Sequence, residues 1–285
     1  MDGFIFVDKP KGMTSQRVCS IIKKKLNIDK VGHSGTLDPN TTGIMLIALG
    51  RATKLLKLLN EHDKKYVATI TLGFDSDTLD FDGNITNEIK MESSMDDIKC
   101  ALDDIKSSEF QYPPMTSSVK INGMKLYEYQ RKNIDVEIKP RNVKLYDYKI
   151  LSEFKLYNNH KEFDLEISCS KGYYVRSLAR DLGLKLNGCA ILHELRRISI
   201  GQYDINRCKL LDDITENDVI SIFDFFDLKK VEVDDYMKKL VLNGVTLDSR
   251  NTSDKGIFYV TNKCDIIAIY EEYENNTYKP IIIFK

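Results

Sequence analysis

The chain has 285 residues, room for one large domain and a small one, and its 42% apolar content with a net charge of −1 suits an ordinary buried core. At the amino end the apolar run Phe4 to Val7 sits between Asp2 and Asp8, which excludes a signal peptide's basic start, and no run approaches the roughly 18 apolar residues of a membrane span. A cytoplasmic protein with no membrane partner is expected, and six scattered cysteines without a CxxC pair exclude a disulfide framework and structural zinc.

The near-neutral total hides a gradient of about +6 over residues 1–60, about +4 over 118–144 and about −5 beyond 204. Local basic surface suits RNA, although a charge run alone is usually a solvated face.

In chain order, Phe4 to Val7 reads as a strand, and Thr14 or Ser15 caps a helix with Val18, Ile21, Ile22 and Leu26 on one face. Asn27 to Gly43, with Gly32, Gly35, Pro39 and Gly43, breaks all periodicity and reads as a long loop. Ile44 to Leu49 and Tyr66 to Leu72 read as strands flanking a helical stretch from Thr53 to Leu59. Asp75 to Gly83 is acidic and turn-rich. Ser94 with Asp97 opens a helix burying Ile98, Ala101, Leu102 and Ile105, and the Asn122-Gly123 pair marks a hairpin. A basic insertion, about residues 118–142, follows. Strands are expected at Val143 to Leu151 and Phe163 to Cys169, and a helix from Val175 to Leu186. Acidic residues from Asp212 to Lys230 look like a junction. Past Val231 the short runs Leu240 to Leu247, Gly256 to Thr261, Ile266 to Tyr270 and Pro280 to Phe284 have the profile of a small β-barrel.

The segment from Val31 to Met45 carries the chemistry. Asp38 stands between glycines and Pro39 in a loop that feeds an apolar strand, so its carboxylate is fixed yet open to a ligand. Asp before Pro is by itself only a turn signal. The whole run, however, resembles the GHTGTLDPLATGVL signature of TruB-family tRNA pseudouridine synthases, departing from it at Ser34, Asn40 and Thr41. Three more segments resemble that family in order and spacing. They are Asp8-Lys9-Pro10-Lys11-Gly12, Lys64-Lys65-Tyr66, and CSKGYYVRSL from Cys169 to Leu178.

The resemblance implies an α+β pseudouridine synthase fold with a mixed, largely antiparallel sheet over residues 1–225 and a PUA-like β-barrel over 231–285. It also implies isomerisation of the uridine at position 55 in the T-arm of tRNA, with Asp38 as the catalytic nucleophile. Tyr66 is expected against the target base and Arg176 beside Asp38, where a guanidinium favours the ionised carboxylate. His33, Gly35 and Tyr174 are expected around the flipped uridine. Lys9, Lys54, Lys120, Lys125, Arg131 and Lys132 are expected on RNA, with Tyr127 and Tyr129 interleaved for stacking, although Met124 stands where the family often has Lys. No cofactor, metal or guide RNA is expected, and a monomer is.

Rival readings are a glycosidase-like hydrolase, disfavoured because no second acid is evident beside Asp38, and an RNA-folding chaperone on the same scaffold. The related guide-RNA-dependent enzymes are disfavoured by the full-length insertion. The acidic run Asp75, Asp77, Asp80 and Asp82 lacks EF-hand spacing and reads as a solvated loop.

Overall fold

The computed structural model describes residues 1–59, 62–252 and 256–285. The first strand, β1 (Gly3–Lys9), leads through helix α1 (Ser15–Lys25) to β2 (Thr42–Leu49), which pairs antiparallel with β1 along its full length. Both strands are apolar at nearly every position because both faces of the sheet are covered. Ile5, Val7, Met45, Ile47 and Leu49 enter one core, and Phe4, Phe6, Ile44, Leu46 and Ala48 enter a second on the opposite face. Helix α1 starts where Thr14 Oγ1 accepts the Arg17 N–H at 3.1 Å, and Lys23, Lys24 and Lys25 complement its negative carboxyl end. It closes the first core with Val18, Cys19 and Ile22.

The sheet grows by β3 (Lys64–Leu72), β4 (Leu145–Ile150), β5 (His160–Cys169) and β6 (Ala190–Ile200), in the order β4-β5-β3-β6-β2-β1, with Lys209–Leu210 beyond β1. Of the pairings along this order, β6 with β2 and β1 with Lys209–Leu210 are parallel and the rest antiparallel, the mixed sheet that was expected. Helices α2 (Met95–Ser107) and α3 (Val175–Lys185) cover the same face as α1. Helix α2 has the expected capping box between Ser94 and Asp97 and the expected buried stripe. Leu102, Leu178 and Leu182 are fully buried, each worth roughly 1.5–3 kcal/mol of apolar transfer.

Several expectations change. The Asn27 to Gly43 loop contains a three-residue strand, Val31–His33, paired with the end of β2 and too short to show a period. Thr53 to Leu59 is a 3-10 turn, Gly50–Leu55, running into one helical turn, Leu56–Leu59. Phe74–Ser76 pairs with Ile85–Glu88, so the acidic stretch is the tip of a hairpin held to β6 by a bridge between Asp80 and Leu192. Strand β6 was not anticipated at all. The Asn122-Gly123 hairpin is present, both residues having positive φ (50° and 84°) as a type I′ turn requires.

The carboxyl-terminal unit is a five-stranded sheet in the order β7 (Lys229–Glu232), β8 (Ile257–Asn262), β9 (Asp265–Glu272), β10 (Thr277–Ile283) and Leu247–Asp248. It curls into a PUA-like half-barrel, and among the described residues its edges β7 and Leu247–Asp248 are not paired with each other. Leu240 to Leu242, read as the start of a strand-like run, instead close helix α4 (Asp235–Leu242), capped by Asp234. One face of this sheet has its own core around Val260, Tyr270 and Tyr278; the other lends Tyr259, Ile266 and Ile269 to the core of Phe4 and Phe6.

Candidate active site

The loop after Val31–His33 is clamped by the amino-terminal turn. Ser15 Oγ donates to the Leu37 carbonyl at 3.0 Å and accepts the Leu37 N–H at 2.9 Å, while Leu37 itself enters the first core. The Pro39 carbonyl accepts from the backbone N–H groups of Gly12 and Met13 at 3.0 and 3.2 Å and from Lys9 Nζ at 2.7 Å. Lys9 is fully buried and also donates to the carbonyls of Pro10 and Met13. Burial lowers its pKa to about 8, opposed by nearby Asp38. The expectation that Lys9 contacts RNA is therefore corrected: a side chain with no exposed surface and three carbonyl partners holds the loop instead.

Asp38, between these clamps, keeps 44% of its side chain exposed, and its Oδ2 lies 3.0 Å from Nη2 of Arg176. Arg176 is in the first turn of α3 and buried. Its Nη1 donates to the Thr78 carbonyl at 3.0 Å and to Thr116 Oγ1, and Nη2 to the Thr116 carbonyl at 3.2 Å. A guanidinium fixed by three such acceptors presents one orientation to Asp38. Gln111 fixes the start of α3 as well, exchanging two hydrogen bonds with the backbone of Tyr174 at 3.1 and 2.9 Å.

Asp80 corrects two expectations. It is not solvated: its side chain is 16% exposed, 3.6 Å from Arg176 Nη1, with its pKa raised by burial against the lowering effects of Thr78 and Arg176. A second carboxylate does stand near Asp38, but it faces the shared guanidinium and is not among the residues lining the open cleft.

That cleft has a volume of about 1020 Å³, and its described lining brings together Asp38, Arg176, Tyr66, His33, Gly35 and Tyr174. Lys64, Arg141, Lys171, Arg176 and Arg197 also line it, so five basic side chains face a single acid, Asp38. Such a field attracts a polyanion. Tyr66 is 9% exposed, and its phenol is pushed up by burial and drawn back by the charge of Arg197, which stands opposite it across the β6–β3 ladder. Burial, then the charge of Arg197, lowers the pKa of His33 against the Gly35 backbone's opposing effect, which leaves the imidazole neutral at neutral pH. Its Nδ1 is buried without a hydrogen-bond partner. Burial likewise raises the pKa of Tyr174.

The insertion forms a small core of its own from Val119, Leu126 and Tyr129. Tyr129 is 7% exposed with its hydroxyl on the Ile121 carbonyl at 2.9 Å, which corrects its expected stacking role. Tyr127 instead faces the cleft, with Lys125 and Arg131 cations 5.3 and 5.4 Å from its ring. Lys120 and Arg131 are exposed, and Lys132 reaches Met124 Sδ at 3.6 Å. Lys54 lies outside the cleft lining and donates to the Ile283 carbonyl at 2.8 Å, at the seam with the carboxyl-terminal sheet.

Arg197, Asp80, Thr116 and the clamp residues went unforeseen. Arg197 carries a faint signal, a charge inside the strand-like run Leu195 to Ile200. Among the described residues no three His, Cys, Asp or Glu side chains are grouped to hold a metal ion.

Residues 23–175 match a model of the TruB family pseudouridylate synthase N-terminal domain. The tRNA pseudouridine synthase B of Acholeplasma laidlawii is 39% identical over 100% of both chains. That of Bacillus subtilis is 36% identical over 95% of this chain and 93% of the relative. Among solved structures, a Cbf5-Nop10-Gar1 complex matches 99% of this chain and 84% of that chain with a TM-score of 0.66 at 24% identity, a likeness of fold.

Proposed function

This chain belongs to the TruB family of pseudouridylate synthases, and from that premise we propose that it isomerises the uridine at position 55 in the T-arm of tRNA, with Asp38 as nucleophile. The observation that carries the reading is the Asp38 carboxylate held 3.0 Å from Arg176 at the floor of an open, basic cleft. The reaction breaks the N1–C1′ bond, turns the uracil and joins C5 to C1′. No atom is gained or lost, so no redox cofactor is needed. The target must leave its stack, a cost of a few kcal/mol that contacts to the RNA backbone offset. In this reading Tyr66, neutral His33, Gly35 and Tyr174 surround the extruded base, while Lys120, Lys125, Arg131 and Lys132 meet the T-arm backbone. The catalytic unit is taken as residues 1–225 and the PUA-like unit as 231–285. The protein works as a cytoplasmic monomer on tRNA alone, without a guide RNA.

The test is an unmodified tRNA transcript incubated with pure protein and mapped by carbodiimide primer extension. Wild type forms pseudouridine at one T-arm position, and Asp38→Asn binds the transcript without forming any. Product from Asp38→Asn would remove that residue from its role. A wild type inert on the bare transcript would remove the guide-free reading.

A further inference from the structure

The short ladder of Phe110–Gln111 against Arg141–Asn142 has its alternation inside out. In a half-buried strand the apolar side chains turn inward and the polar ones face water. Here Gln111 is 5% exposed, while Phe110 is 62% and Tyr112 52% exposed. Gln111 has a reason to be inside, since its amide exchanges two hydrogen bonds with the backbone of Tyr174 at the start of α3. With Gln111 fixed inward, the period of two sends positions 110 and 112 outward, where polar side chains are the ordinary choice. Both carry aromatic rings instead, and among the described residues neither ring has another ring or a cation packed on it.

The backbone that presents the rings is pinned on both sides. The Tyr112 carbonyl accepts from Ser177 Oγ at 2.9 Å and from Arg180 Nη2 at 3.1 Å, both on α3, and the Val143 N–H donates to the Glu109 carbonyl at 3.0 Å. Rings and cleft adjoin. Phe110 is directly opposite Asn142, which lines the cleft, and such cross-strand neighbours lie about 5 Å apart with side chains on the same face. The cations nearby differ in their freedom. Lys144 is paired with Glu109 at 3.6 Å and Arg180 with Asp181 at 2.7 Å, whereas exposed Arg141, also on the cleft lining, has no carboxylate within ion-pair distance among the described residues.

We propose that Phe110 and Tyr112 form a stacking platform at the rim of the cleft for an unpaired base of the RNA loop that carries the target uridine, with Arg141 on a phosphate beside it. The proposal deepens the function given above and rests on the cleft being the RNA site. When the target leaves its stack, the neighbouring base loses the face it lay against, and an exposed ring about one cross-strand step from the cleft restores one. Every base has a π face, so the platform fixes where the loop lies without reading its sequence. A second copy of the chain or a protein partner could also cover two rings, but a free guanidinium and continuity with a basic cleft match a polyanion.

The experiment measures equilibrium binding and steady-state kinetics of an unmodified tRNA transcript with Phe110→Leu, Phe110→Tyr, Tyr112→Leu and Arg141→Gln. Phe110→Leu is expected to weaken binding roughly 5- to 100-fold, the range for losing one base–aromatic stack, and to raise KM with kcat unchanged. Phe110→Tyr keeps the ring and binds as wild type. Phe110→Leu leaves the salt dependence of binding as it was, whereas Arg141→Gln lowers its slope by about 1. A transcript with 2-aminopurine placed in turn at each unpaired position of the loop, the target excepted, loses fluorescence on binding at one or two positions, and Phe110→Leu or Tyr112→Leu restores it. Both rings are exposed, so these variants fold as wild type, which circular dichroism checks. The platform is overturned if Phe110→Leu and Tyr112→Leu bind as wild type, if Phe110→Tyr is as weak as Phe110→Leu, or if no quenching depends on either ring. Self-association of the wild type that Phe110→Leu dissolves, with RNA affinity unchanged, assigns the rings to a second copy and likewise overturns it. A wild type that shows the ring effects yet forms no pseudouridine removes the isomerase reading and leaves the platform; one that binds no transcript removes both.

Discussion

Lys9 has three N–H bonds and three carbonyls to receive them, so its side chain is saturated before any phosphate arrives. Lys9→Met keeps most of the stem and takes the donor from the Pro10 and Met13 carbonyls, at about 1–3 kcal/mol for each that stays dry, while the Pro39 carbonyl keeps its two backbone donors. The expected outcome is a lower melting temperature and a kcat reduced about 10- to 100-fold by a loosened Asp38 loop, a misplacement effect. KM for tRNA and its salt dependence stay as in wild type. A lysine on RNA would behave in the opposite way, flattening the salt slope and raising KM. Steady-state kinetics at several ionic strengths separate the two.

Helices and strands differ in how openly their sequences announce them. Helix α2 is written out by Ser94, Asp97 and an apolar stripe, and its cap bonds are present at 2.8 and 3.2 Å. Ser94→Ala is expected to destabilise the chain by about 1 kcal/mol with kcat unchanged, read from the urea midpoint at constant slope. Helices α1 and α3 were legible from regular period and clear punctuation, and strands β1 to β5 from apolar or strand-favouring runs of the right length. Strand β6 was not, because Glu194, Arg196 and Arg197 break its alternation and register shifts interrupt its ladder with β3. The site divides along the same line. Asp38, Tyr66 and Arg176 stand in long, distinctive runs, and the fold brings all three to one cleft. Arg197 and Asp80 act through burial, and an arginine in a strand or an aspartate in an acidic tip looks, as sequence, like surface. Lys9 was placed beside the right loop but given the wrong partner, since the one of its three carbonyl partners that lies in that loop, Pro39, is 30 residues away in the chain.

At the scale of the molecule, the two sheets share a core rather than merely a linker. Phe4 and Phe6 pack in one cluster with Phe225, Tyr259, Ile266 and Phe284, and the Tyr259 hydroxyl donates to the Ile222 carbonyl at 2.8 Å. Arg51 bridges Asp2 at 2.6 Å and Asp265 at 2.8 Å, though half-exposed pairs of this kind add only about 0–1 kcal/mol. The apolar contact dominates, at roughly 1.5–3 kcal/mol for each fully buried large side chain. A chain stopped after residue 227 loses Tyr259, Ile266 and Phe284 together. It is expected to melt well below the intact chain and to bind a hydrophobic dye, while the intact chain melts in a single calorimetric transition. Two separate transitions in the intact protein would show that the units are independent.

Phe4 and Phe6 leave the ribosome about two hundred residues before the rings that pack on them, Tyr203, Phe225 and Phe226. During translation the opening strand can pair with its neighbour and bury its helix-facing side, yet its other side lacks its ring partners until Phe225 and Phe226 have emerged. A nascent chain of this protein thus carries a sticky strip until those rings are made, which makes pauses before that point hazardous and gives holding chaperones a defined place to grip.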